Sequence, residues 1–175
     1  MPTTLTALAP PVSVATEKLH LFSLYLDFPA AVLARGLVCG ITQQTGAERR
    51  TTAEMWKLDA LKSCASIRKM MTADAAKAEV IIIAATILNR GEPLLVEWLA
   101  EVAALNNRPS GVLIGLLGDE NTPAKELDWV AKPLAHFAAP MGRQVLWHCP
   151  GQKTLNEANW PALKKSLARP GRPKA

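Results

Sequence analysis

Apolar residues along the chain fall alternately into short runs and helical stripes. Leu19 to Leu26 (LHLFSLYL) is a run of β-favouring residues that ends at Asp27-Phe28-Pro29, where Asp can cap and Pro can open a helix. The spacing of Val32, Leu33, Leu37, Val38 and Ile41 then predicts a helix over 30–44, with Gly46 as its stop. Residues 50–58 (RTTAEMWKL) predict a weaker, partly apolar strand that runs through Asp59 into a helix on which Leu61, Cys64, Ile67, Met70 and Met71 share a face. Glu79 to Ala85 (EVIIIAA) is the clearest strand, and its unbroken apolarity suits a position covered by helices on both sides. Leu94, Leu95, Trp98, Leu99, Val102 and Leu105 stripe a third helix over 93–105, and Gly111 to Leu117 (GVLIGLL) forms a fourth strand. Thr122-Pro123, with Glu126 beyond, announces a fourth helix to Ala139 by capping and first-turn chemistry, and Arg143 to Cys149 is a fifth strand closed by Pro150-Gly151.

Strands alternating with helices at this spacing imply parallel pairing through right-handed crossovers, hence an α/β fold: a three-layer α/β/α sandwich around a five-stranded parallel sheet. Apolarity sets the order. The first, third and fourth strands are apolar, whereas the second carries Arg50, Glu54 and Lys57 and the fifth Arg143, Gln144 and His148, as strands near water do. This favours 2-1-3-4-5 over 3-2-1-4-5, which would leave the most hydrophobic strand at an edge.

The chain has 175 residues, 49% of them hydrophobic and 20% charged, which suits one domain with a real core. Apolar runs are too short for a membrane span, and the first residues lack the basic start and apolar stretch of a secretory signal. The expected division is an N-terminal arm over 1–17, an α/β domain over 18–151 and a basic extension over 152–175. Cys39, Cys64 and Cys149 lie far apart without metal-ligand spacing, so they are expected to be reduced, small buried hydrophobes in a cytoplasmic protein. The formal net charge of +5 is concentrated. The last 24 residues hold six of the 20 Lys and Arg but one of the 15 Asp and Glu, so the preceding 151 residues carry 14 of each. A neutral body gives no reason to expect nucleic acid on the globular part.

Ligands of open parallel sheets bind beyond the C-terminal strand ends where strand order reverses, here between the first and third strands. The loops there offer Asp27, Phe28, Thr86, Asn89, Arg90, Gly91 and Asp119 as crevice candidates. With Asp59, Glu92 and Glu120 the rim is acidic, and Arg90 is the one cation among these residues, which disfavours a bare phosphate. Carboxylates at strand ends also cap helices, and that reading is preferred for Asp27 and Asp59. His20, His136 and His148 are too scattered for a metal site, and no nucleophile, base and acid group stands out.

The stretch Ala78 to Leu99 (AEVIIIAATILNRGEPLLVEWL) resembles the third strand, loop and helix of the NADPH-dependent FMN reductases and their flavodoxin-like relatives, with Asn89, Gly91, Pro93 and Trp98 in comparable places. The resemblance implies a flavodoxin-like fold and FMN held by the loop after the third strand. It also implies a hydroxyl- and glycine-rich phosphate loop after the first strand, where this chain has Asp27-Phe28-Pro29-Ala30-Ala31: a carboxylate, a missing amide and no hydroxyl.

In the extension, Asn159-Trp160-Pro161 can start a short helix bearing Leu163 and Leu167, and Gly171, Arg172 and Pro173 match half of a minor-groove DNA clamp, read here as a solvated basic tail. Trp56, Trp98 and Trp147 are assigned to the core. Two functions are expected. The first is a non-catalytic interaction or regulatory module whose protein partner needs 152–175. The alternative is a degenerate FMN or small-molecule binder using the crevice.

Overall fold

The computed structural model describes residues 18–45, 49–86, 93–106 and 110–148. Within them the elements alternate as β1 (Lys18–Tyr25), α1 (Phe28–Thr45), β2 (Arg50–Lys57), α2 (Ala65–Lys77), β3 (Val80–Ala85), α3 (Pro93–Leu105), β4 (Gly111–Leu117), α4 (Ala124–Ala138) and β5 (Arg143–His148), with a 3-10 turn over Leu58–Lys62. All pairings are parallel and the order is β2-β1-β3-β4-β5. Burial explains the order: every residue of β3 is buried at the centre of the sheet, while β2 is mostly exposed at one edge.

Register sorts the side chains into two faces, because partners across a parallel pair point to the same side. Leu24, Ile83, Gly115 and Trp147 form one row, and Ser23, Ile82, Ile114 and Leu146 a row on the other side. The first face is covered by α2, α3 and α4 through Met71, Ala75, Trp98, Leu99, Val102, Val130 and Leu134. Trp98 is fully buried and stacks on Phe22 with ring centres 5.6 Å apart, and each such large side chain contributes about 1.5–3 kcal/mol by leaving water. The second face receives Ala30, Ala34, Val38 and Ile41 of α1.

The end of the sheet where the strands begin is tied by charge. Arg143, buried on β5, donates to the carbonyl oxygen of Ala78 (2.9 Å) and to Asn106 Oδ1 (3.0 Å), and Asn106 Nδ2 donates to the carbonyl of Met141. Arg49 pairs with Glu79 at 2.8 Å. These contacts hold the starts of β3 and β5 together, at the end opposite the predicted crevice.

Several sequence expectations need correction. Cys39 and Cys64 are exposed, not buried; Cys39 lies on the outer side of α1 and Cys64 at the N-cap of α2. The face expected of the second helix is broken because the 3-10 turn intervenes and shifts its phase. Leu61 is buried in that turn, whereas Met70 is 45% exposed and α2 buries Met71, Thr72, Ala75 and Ala76 instead. On α1 the small residues Ala30 and Ala34 go inward and Val32 faces out, and Leu105 at the end of α3 is also exposed. Thr122 does not cap α4: its hydroxyl turns back to Asp119, and Pro123 takes the N-cap position without a side-chain bond. The N-terminal arm, the basic extension, Gly46 and Cys149 lie outside the described residues.

Candidate functional site

The order reverses between β1 and β3, and the described residues there are drawn together. Leu26 N–H donates to the Ala84 carbonyl at 2.9 Å and Gly118 N–H to the Ala85 carbonyl at 2.7 Å, so β1, β3 and β4 stay zipped past their last strand residues. Asp27 sits at this junction. Its Oδ1 accepts the Ala30 N–H at 2.8 Å and the Thr86 hydroxyl, and its Oδ2 accepts the Thr86 N–H at 2.9 Å. One carboxylate thus caps α1 and clasps the chain leaving β3, fifty-nine residues away.

This arrangement decides what the helix end can hold. A bound anion is stabilised at a helix N-terminus by the unsatisfied amides of the first turn. In α1 Pro29 has no amide, the amide of Ala30 is taken by Asp27, and that of Ala31 donates to the Asp27 main-chain carbonyl at 3.0 Å. The carboxylate therefore stands where a phosphate would stand. A second anion beside it meets repulsion of about 4 kcal/mol per pair of unit charges at 4 Å in a surface-like dielectric.

The remaining rim residues are occupied locally. Asp119 Oδ1 accepts from Asn121 N–H (2.9 Å) and the Thr122 hydroxyl (2.8 Å), and the Thr122 hydroxyl bond is the main reason its pKa is held below the ordinary carboxylate range. Asp59 lies in the 3-10 turn after β2 and pairs with Lys57 at 2.8 Å, which lowers its pKa. Phe28 is 80% exposed at the first turn of α1, with Val32 at 57% one turn on. Asn89, Arg90, Gly91 and Glu92 lie outside the described residues. Of the sequence candidates, the structure brings Asp27 and Thr86 together, leaves Phe28 in solvent and keeps Asp119 in its own turn.

Two features escaped the sequence reading. Cys64 is an exposed thiol whose sulfur lies 3.1 Å from the Ser66 hydroxyl; that hydroxyl, with the Ile67 and Ser66 amides, pulls its pKa down. A groove of about 430 Å³ opens between β1, β2 and the end of α2, lined by His20, Thr52, Glu54, Asp74 and Lys77. His20 Nδ1 is bonded to the Thr52 hydroxyl at 2.8 Å there. Neither had a signal in the chain, because the groove joins residues from three elements. Among the described residues no group of His, Cys, Asp and Glu could hold a metal ion, and no helix is long and apolar enough to cross a membrane.

No family model matches the chain, and no curated protein does. Solved structures do. The chain is similar to an oxidoreductase from Corynebacterium diphtheriae, at 12% identity and a TM-score of 0.52, over 87% of this chain and 91% of that one. It also aligns with a short-chain flavodoxin associated with a bacterial microcompartment, at 11% identity and a TM-score of 0.45, over 77% of this chain and 82% of that one. Identity this low speaks for fold and for no particular chemistry. With five parallel strands in the order 2-1-3-4-5 between helices, the chain has a flavodoxin-like fold.

Proposed function

We propose that this chain is a non-catalytic binding module on a flavodoxin-like scaffold. One observation carries the reading: the Asp27 carboxylate fills the N-terminus of α1 and ties it to Thr86, where a flavin phosphate would need free amides. The exposed pair Phe28 and Val32 supports it, since they offer a partner an apolar surface beside the same junction. A second reading, FMN held by the loop after β3, is favoured by the sequence likeness at Asn89, Gly91 and Pro93.

An absorbance spectrum of the freshly purified protein, followed by melting with and without FMN, separates the two. The module reading predicts a colourless protein whose melting midpoint is unmoved by FMN. A bound flavin band overturns it, as does a rise of about 5–10 °C, the size expected for a ligand at a hundred times its dissociation constant in a domain of this length.

A further inference from the structure

The groove between β1, β2 and the end of α2 gathers side chains that the fold itself does not use. His20 and Phe22 of β1 are the register partners of Thr52 and Glu54 of β2, so all four stand on the face that α2 covers. Phe22 is buried and gives the groove an apolar wall. α2 packs against β1, while the edge strand β2 stays mostly exposed, and the last turn of α2 adds Asp74 and Lys77 to the same lining. A space of about 430 Å³ falls within the range of small-ligand sites.

The ionic groups around it are unpaired. Elsewhere such groups find each other, as Arg49 does Glu79 and Arg68 does Glu101. Glu54, Asp74 and Lys77 line one space, yet their side chains make no ion pair or hydrogen bond among the described residues. His20 is held through Nδ1 by the Thr52 hydroxyl, which sets the ring and leaves Nε2 to an occupant. The His, Asp and Glu side chains here do not converge closely enough to share a metal ion, so the two carboxylates call for separate cationic groups on one molecule. Two carboxylates against one ammonium leave one formal negative charge, and its complement is a molecule with two cations and one anion.

We infer that this groove binds a free basic amino acid, with its two cationic groups at Glu54 and Asp74 and its carboxylate at Lys77. The site lies toward the start of the strands, away from the Asp27 junction, so it stands or falls independently of whether FMN binds there.

The test titrates the full chain with four probes and follows the ring signals of His20 by NMR, assigned by their loss in His20→Gln. Arginine and lysine carry all three charges, agmatine lacks the carboxylate, and norleucine lacks the second cation. Arginine or lysine should move the His20 signals saturably by about 10 mM, where a ligand of millimolar affinity is nearly saturating. Agmatine and norleucine should each bind about tenfold more weakly, the size of one lost charged hydrogen bond. Glu54→Gln with Asp74→Asn should weaken arginine by tenfold or more. Lys77→Gln should weaken arginine about tenfold and leave agmatine unweakened. Glu54 and Lys77 are exposed and Asp74 half-buried, so these variants should melt close to the parent chain. A His20 signal that does not move, or that drifts without saturating, overturns the inference. Agmatine or norleucine binding as tightly as arginine overturns it too, as does a Lys77→Gln loss that is equal for arginine and agmatine.

Discussion

At Gly115 a Cβ would come within 2.6 Å of two ring carbons of Trp147 on the neighbouring strand. The glycine is thus the seat of an aromatic ring, not a weak point in β4. Gly115→Ala is expected to lower stability by about 1–3 kcal/mol in urea unfolding, because the ring has to leave its place. Gly36→Ala supplies the opposite sign in the same measurement: a Cβ there meets nothing within 4 Å, so alanine should raise stability by roughly 0.5–1 kcal/mol through helix propensity. In the sequence the two glycines look alike. What separates them is the residue opposite, and pairing Gly115 with Trp147 requires knowing that β4 and β5 are neighbours in this register. The cysteines teach the same lesson, since side-chain type alone favoured burial and position on the helices put Cys39 and Cys64 in water.

Among the elements, α1 shows most plainly how far a local signal reaches. Asp27-Phe28-Pro29 was legible as a helix start, and the Asp27 side chain does cap the helix through Ala30. Its second bond, to Thr86, was not legible, because it depends on β1 and β3 lying side by side. Asp27→Ala should therefore cost more than an ordinary cap. About 1–2 kcal/mol is expected from the cap alone, plus a further loss from the Thr86 amide left without its acceptor. Asp27→Asn, which keeps an acceptor oxygen, should recover part of it, and thermal unfolding of the three proteins checks the ranking. Between α2 and α3, Arg68 makes a two-pronged contact with Glu101 at 3.1 and 2.6 Å, again a pairing of elements that periodicity does not reveal.

For the whole molecule, pH acts through His148 at the end of β5, whose Nδ1 is buried without a partner among the described residues and whose pKa is lowered from 6.5 by burial. The unfolded chain takes up a proton near 6.5, while the folded protein does so only at lower pH. Stability is then full above this value and declines as pH falls through it. The melting midpoint should be lower at pH 5 than at pH 7.5, and His148→Gln should flatten part of that slope. The sequence by itself determined the class and the five strands and four helices, and it favoured the observed strand order over 3-2-1-4-5. These follow from periodicity and from which strands are apolar enough to need cover on both sides, both properties of neighbouring residues. Only the tertiary structure decided that the crevice at β1 and β3 is bridged by Asp27 and Thr86, that Gly115 seats Trp147, and that Arg143 ties β5 to Ala78 and Asn106. Each of these joins side chains far apart in the chain, and such contacts exist only once the crossovers have fixed which strands are adjacent and in what register.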